Sequence, residues 1–189
     1  SDGYLLRYFK ELGVKVLGVE PSSNVAAYAK KHHNIDSIVD FFGTALAKSL
    51  KQKGMSADLI VCNNVLAHVP DINDFVAGIG LVLAPEGTVT FEFPHLLQML
   101  SQGQFDTIYH EHYSYLSLMS VEAILRAHGL IVYDVEELTT HGGSLRVFAK
   151  HFSQAAIQHE VPANLSKARQ DEAEFGLGSL AGYSEFSDR

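Results

Sequence analysis

ADLIVCNNVLAHVPDINDFVAGIGLVLAPEGTVTFEFP, residues 57–94, carries two apolar runs with a helical pattern between them. ADLIVCNNV, 57–65, reads as a buried strand. From Asp71 the spacing changes, and Ile72, Phe75, Val76, Ile79, Val82 and Leu83 fall on one helical face. GTVTFEFP, 87–94, is again a strand. A strand, a helix and a second strand in this order predict two parallel strands with the helix packed across them.

The same alternation extends in both directions. Upstream, DGYLLRYFKELG reads as an amphipathic helix stopped by Gly13, KVLGVEP as a strand ended by Glu20 and Pro21, and SSNVAAYAKKHH as a serine-capped helix. SIVDFF is a further strand, and TALAKSLKQKG a helix stopped by Gly54. Downstream, SVEAILRAHG is a short helix. LIVYDVEEL and SLRVFAKHF are strands joined across TTHGG, the pattern of an antiparallel hairpin. The expected fold is therefore α/β, a mostly parallel sheet covered by helices on both faces, with a terminal antiparallel hairpin. From residue 152 the pattern weakens, and LSKARQDEAEFGLGSLAGYSEFSDR reads as a polar, glycine-interrupted helical tail that needs a partner surface. The first residues already start a helix, without the strand and Gly-rich turn that open a doubly wound nucleotide-binding fold, and the tail stops in polar sequence. A fragment truncated at both ends is the expectation.

With 189 residues, 47% of them hydrophobic and 19% charged, the chain suits one soluble domain with an appendage. The net charge of −8 and the lack of a Lys/Arg cluster argue against nucleic-acid binding. A small phosphorylated substrate stays open, because one Arg or one helix N-terminus can hold a phosphate. The single cysteine, Cys62, excludes an internal disulfide framework and reads as a small buried apolar residue rather than a nucleophile. No apolar run approaches the roughly 18 residues of a membrane span. No signal peptide is visible, and a cytoplasmic protein with no membrane partner is expected.

In parallel sheets the chemistry gathers at the carboxyl ends of the strands. Glu20, Asn63, Asn64, His68, Glu92 and His95 lie at or just beyond such ends. A carboxylate at the Glu20 position can accept both hydroxyls of a ribose, in S-adenosylmethionine and nicotinamide cofactors alike. A solvated strand-end acid is the plain alternative. Asn63 and Asn64 can hold cofactor or loop backbone without adding charge, or simply form the turn.

The densest cluster is FDTIYHEHYSY, 105–115. His110 and His112 suggest zinc, but a tight zinc site needs three or four ligands, and no cysteine lies nearby. No metal is expected. Proton transfer fits better, because histidine titrates near neutrality and a neighbouring carboxylate can orient it. In an extended segment Tyr109 and Glu111 face one way and His110 and His112 the other, so a turn is needed before they converge. In HGGSLR, 141–146, the glycine amides can approach a substrate and Arg146 can meet a phosphate, or the segment is only a hairpin turn with an outward Arg.

Taken together, SDGYLL, VEPS, CNNVLAHVPDINDFVAGI, FEFPHL, FDTIYHEHYSYLS and HGGSLRV resemble the S-adenosylmethionine-dependent sugar C-methyltransferases, over residues 1 to about 151. The resemblance implies a Rossmann-like class I methyltransferase core, incomplete at its N-terminus, over 1–151, and a helical tail or linker to a further module over 152–189. It implies methyl transfer to C-3 of a nucleotide-linked 4-keto-6-deoxysugar in deoxysugar biosynthesis, with S-adenosylmethionine as cofactor and the nucleotide-sugar as small-molecule partner. Family members are usually about twice as long, with a cysteine-rich zinc module before the core and an α/β module after it. The single cysteine does not supply the first, so the isolated chain is expected to be impaired.

By the same resemblance Asp2 and Gly3 lie near the methionine part of the cofactor, unless Asp2 is only a helix cap, and Glu20, Asn63 and Asn64 complete the cofactor site. Tyr109, Glu111 and His112 are the catalytic members of the aromatic cluster: His112 the base, oriented by Glu111, with Tyr109 sharing proton transfer or holding the sugar. His68 stabilises the enolate. From their places at a strand end and in the HGGSLR turn, Glu92, His141 and Arg146 are expected to contact substrate. A nicotinamide-dependent oxidoreductase and a non-catalytic nucleotide-binding fragment are the alternatives.

Overall fold

A computed structural model describes residues 2–153, 160–184 and 186. The parts of the expected tail at 154–159, 185 and 187–189 lie outside the described residues. The elements follow the alternation in the sequence: α1 (Tyr4–Glu11), β1 (Gly18–Val19), α2 (Ser23–His33), β2 (Ser37–Ile38), α3 (Thr44–Gln52), β3 (Ala57–Asn63), α4 (Ile72–Val82), β4 (Leu83–Pro94), α5 (Leu96–Ser101), α6 (Leu118–Ala127), β5 (Leu130–Leu138), β6 (Ser144–His151) and α7 (Ala163–Phe175).

Two sheets result. β1 and β2 form a parallel pair, and the second sheet has the order β3-β4-β6-β5. β3 runs parallel to β4, whereas β6 is antiparallel to both β4 and β5. The expected hairpin is present, but β6 enters the sheet and makes it mixed: it sits between β4 and β5, and β5 is the edge. Each of β1 and β2 has one strand partner, so only two residues of each apolar run form a ladder. Leu17 and Val39 stay 39% and 52% exposed, and Leu59 of β3 is 46% exposed.

β4 is the buried centre. Val89, Phe91 and Phe93 are fully buried, and the intervening Thr90 and Glu92 are buried too, because both faces of the strand are covered. α4 lays Phe75, Val76, Ile79 and Val82 on the sheet, and its start is capped by Asp71, whose carboxylate accepts from Asp74 N at 2.9 Å. α6 opens with Ser117 and Ser120 bonding reciprocally to each other's backbone N–H. The polar tail finds its partner surface on this body: α7 buries Leu165 and Ala168 in the same apolar cluster as Phe91 and Leu125.

α7 also contributes a buried carboxylate–histidine hydrogen bond. Glu172 Oε1 lies 2.7 Å from His95 Nε2, with the two side chains 4% and 2% exposed. The same carboxylate accepts from the backbone N–H groups of Leu118 and, at 2.9 Å, Met119. It thereby caps the first turn of α6, where a negative charge meets the positive end of the helix dipole.

Candidate active site

The site is built where β3 and β4 end. After Asn63 the chain turns at Asn64, whose φ of 53° lies in the left-handed region, and then forms a short turn at Leu66–His68. The second wall is the loop after α5. His112 N donates to Tyr109 O at 3.1 Å, so residues 109–112 form a turn. This is the turn that the aromatic cluster needs, and it brings the Tyr109 and His112 rings to 4.3 Å between centroids. The loops are joined where Tyr113 N donates to Ala67 O at 2.9 Å, and the His68 and His112 rings lie 4.8 Å apart.

The hydrogen bonds fix the tautomer of each ring. His112 Nδ1 is 2.9 Å from Thr107 O. A carbonyl only accepts, so Nδ1 carries the proton, and in the neutral ring Nε2 carries the lone pair. Nε2 in turn lies 3.2 Å from Tyr109 Oη, which donates to it. By the same logic His68 Nδ1 donates to Glu111 O at 3.0 Å. A base with its proton-accepting nitrogen already facing a phenol is an arrangement for proton transfer.

Glu111 differs from expectation. Its carboxylate is exposed and makes no hydrogen bond with the described residues; His112 is oriented by the Thr107 carbonyl, and Glu111 acts on His68 through its main chain. His110 is exposed and meets Tyr109 only edge-on, at 6.5 Å. Among the described residues no three His, Cys, Asp or Glu side chains converge as metal ligands. Thr107 escapes sequence reasoning because it works through a backbone carbonyl. Tyr115, edge-on to His112 at 6.1 Å, was within the aromatic cluster but carried no distinguishing signal.

Glu92, His141 and Arg146 are brought together, although not as free ligands. Asn63, Glu92 and Arg146 are cross-strand neighbours on β3, β4 and β6. Arg146 Nη2 bonds Glu92 at 2.7 Å and Nη1 bonds Glu136 at 2.9 Å. With two carboxylates on it, its guanidinium is already neutralised, which disfavours phosphate binding by Arg146. Glu92 also accepts from Thr140 Oγ1 at 3.3 Å. His141, next in the chain, has a φ of 51° and lies 3.3 Å from the Asn64 amide nitrogen through Nε2. Each left-handed non-glycine residue costs about 1–2 kcal/mol, less for Asn and His, which visit this region more readily.

On the cofactor side, the Glu20 carboxylate closes β1 and accepts from Ser22 N at 2.9 Å. Asp2 accepts from Tyr4 N, the first residue of α1, at 2.9 Å, while the N-cap position itself is held by Gly3. Gly3 adopts a φ of 83°, and a Cβ there would sit 3.0 Å from Ala29, which explains the glycine by the packing of α1 on α2. Asn63 is exposed at the end of β3. A strand-end carboxylate and an exposed amide supply acceptors for ribose hydroxyls and add no positive charge beside a sulfonium, so these residues fit S-adenosylmethionine. Burial pushes the Cys62 thiol up to about 12, which keeps it a protonated, poor nucleophile. A cavity of about 440 Å³ lies elsewhere, between α6, α7 and residues 176–179, and contains none of these residues.

A family model described as a methyltransferase domain matches residues 1–135, and one described as a C-methyltransferase C-terminal domain matches 139–189. The chain belongs to the methyltransferase-domain family, and its fold is the α/β class I methyltransferase fold, for which S-adenosylmethionine is the cofactor. Within that class it is 36% identical over 187 residues to the C-methyltransferase NovU of Streptomyces niveus, covering 99% of this chain and 44% of the relative. The ubiquinone biosynthesis O-methyltransferase of Bartonella quintana is 30% identical over 89 residues, 47% of this chain and 36% of that protein. The chain thus spans less than half the length of either relative. The magnesium protoporphyrin IX methyltransferase ChlM of Synechocystis PCC 6803, solved with bound SAH, superposes with a TM-score of 0.60 at 16% identity, over 78% of this chain and 69% of its own. The methyltransferase family match sets aside the nicotinamide-dependent alternative. No helix among the described residues is long and apolar enough to cross a membrane.

Proposed function

We propose that this chain is the cofactor-binding and catalytic part of an S-adenosylmethionine-dependent C-methyltransferase that methylates C-3, alpha to the C-4 ketone, of a nucleotide-linked 4-keto-6-deoxysugar. The observation that carries the reading is the His112 ring: Nδ1 is held by Thr107 O and Nε2 faces the Tyr109 hydroxyl. The relationship to NovU, a C-methyltransferase, supports a carbon acceptor. The ketosugar rests on the resemblance carried by YHEHYSY and NNVLAHVPD.

In this reading the ketone acidifies the C-3 proton, His112 Nε2 removes it, and the electron pair moves into an enolate with its charge on the C-4 oxygen. Tyr109 gives up its hydrogen bond to Nε2 as substrate enters and holds the sugar. Glu20 and Asn63 would hold S-adenosylmethionine, which would supply an electrophilic methyl: the C–C bond forms at C-3 as the sulfonium S–CH3 bond breaks, S-adenosylhomocysteine leaves, and the C-4 ketone is restored. His68 has a narrower role than its position suggests. Its Nδ1 proton is committed to Glu111 O, so Nε2 donates to the enolate oxygen only when the ring is an imidazolium. His68→Ala, which removes this donor, should lower C-3 deuterium exchange and methyl transfer together.

The test uses the protein as it occurs, with a dTDP-4-keto-6-deoxysugar in deuterated solvent. His112→Asn is expected to lower both C-3 deuterium exchange and methyl transfer by about 10²–10⁴-fold, with S-adenosylhomocysteine affinity unchanged. Undiminished exchange in His112→Asn would remove His112 as the base, and loss of exchange in Tyr109→Phe alone would transfer the role to Tyr109.

A further inference from the structure

The segment Thr140–Gly143 touches both walls of the site. Through His141 it reaches Asn64, four residues before His68. Through the carbonyl of Gly142 it accepts from Gln104 Nε2 at 2.7 Å, and through that of Gly143 it accepts from His95 N at 3.0 Å. Gln104 immediately precedes the Phe105–Thr107 turn, whose last carbonyl fixes His112. The base of the segment is anchored by Thr140 on Glu92, which Arg146 holds in turn. We propose that this turn sets the spacing between His68 and His112, and that His141 is its positioning residue, acting through Asn64. The inference rests on the catalytic roles proposed above for those two histidines.

Three features support it. Asn64 and His141 are two of the three non-glycine residues with positive φ among the described residues, and they bond to each other. Backbone held in sparsely populated regions persists where the surroundings over-determine it, and gathers at functional sites. Gly142 and Gly143 have φ of 76° and 118°, and a Cβ on them would lie 2.5 Å from Gln104 and 2.7 Å from Gln98. The glycines thus let the turn sit directly on the α5 side of the second wall. The polarity is also defined: the Asn64 amide N–H donates and His141 Nε2 accepts. This makes His141 a strut between loops, distinct from the substrate ligand that the sequence suggests, and it ties Asn64 to the same role. The walls also meet at Tyr113 N–Ala67 O, so the turn adjusts their spacing without being the sole joint.

The experiment compares His141→Ala, His141→Gln, Asn64→Ala and the Asn64→Ala/His141→Ala double variant in the protein as it occurs. His141→Ala should lower kcat by about 10–100-fold, the scale of a displacement near 1 Å at a reacting centre, with KM and S-adenosylhomocysteine affinity unchanged. His141→Gln, which presents an amide oxygen to Asn64, should recover most of the loss. The double variant should be no slower than the slower single variant, because one contact is removed either way. Multiplying effects would overturn the proposal. So would a rise in KM alone for His141→Ala, which would make His141 a substrate ligand, or loss of cofactor affinity in Asn64→Ala alone. In the 189-residue chain, the imidazole NMR signals of His68 and His112 should move in His141→Ala and return in His141→Gln; unmoved signals would sink the strut. A wild-type protein inert toward the ketosugar would reject the functional reading, and the NMR series would still decide the strut.

Discussion

His112 and His95 are both histidines beside the end of β4, and they have opposite fates. His112 is partly exposed, tied by Nδ1 to a neutral carbonyl, with Nε2 facing the Tyr109 phenol. His95 is 2% exposed, and its Nε2 is bonded to a carboxylate that also caps α6. Its position at a strand end matches that of the catalytic candidates, yet the ring faces the interior. A histidine can move protons only if one nitrogen is held and the other can reach a reactant. When the second nitrogen meets a buried carboxylate the residue becomes architecture.

The contrast can be broken from the buried side first. Glu172→Ala leaves His95 and two N–H groups of α6 without their acceptor, and removing one partner of a buried pair costs about 3–5 kcal/mol. Urea unfolding of the 189-residue chain should show that loss; a change below about 1 kcal/mol would place the pair with surface ion pairs. By contrast, His112→Asn should alter stability by no more than about 0.5–1.5 kcal/mol, the net worth of one hydrogen bond, while exchange chemistry collapses. Tyr109→Phe removes a single hydroxyl from the open side, and its expected effect on C-3 exchange is about 2–10-fold, from the same hydrogen-bond range. A larger drop would make the phenol part of the proton path.

The smallest signal is Cys62, which lies in β3 beneath the site. With its thiol pushed up to about 12, thiolate is scarce at pH 8 and the group is buried, so a thiol reagent should label it only on opening of the sheet. Glu172→Ala should speed that labelling and His112→Asn should not. The raised value also has a sign: the thiol holds its proton more tightly when folded, so its contribution is complete below its ordinary value near 9 and is lost as pH rises toward 12. Denaturant midpoints between pH 8 and 11 should fall accordingly.

Strands and helices were legible in this sequence because their apolar residues come in blocks: β5 and the run LIVYDVEEL coincide, and α4 follows its one-sided face. Pairing was legible only between neighbours. TTHGG announces that β5 and β6 form a hairpin, but nothing local says that β6 also takes β4 as a partner. That follows from burial of Val147 and Ala149, and many arrangements bury such residues equally well. In the site, His68, Tyr109 and His112 stood out by residue type. Thr107 did not, because a carbonyl has no signature in sequence. Gln104 looked like any polar loop residue. Glu172 was hidden within QDEAEF, whose charge density reads as a solvated face, although one carboxylate of the run points inward.

The position of β6 has a consequence for how such proteins can be recombined. The two matched family models part at residues 136–138, inside β5, while β6 lies between β4 and β5. A chimera spliced at that joint would pair the β4 and β5 of one parent with the β6 of another. The graft would have to reproduce Glu92–Arg146–Glu136 and the Glu172 cap across a foreign seam. The exchangeable unit therefore runs through α7, and a library built on the similarity boundary would discard most of its members for want of a complementary strand.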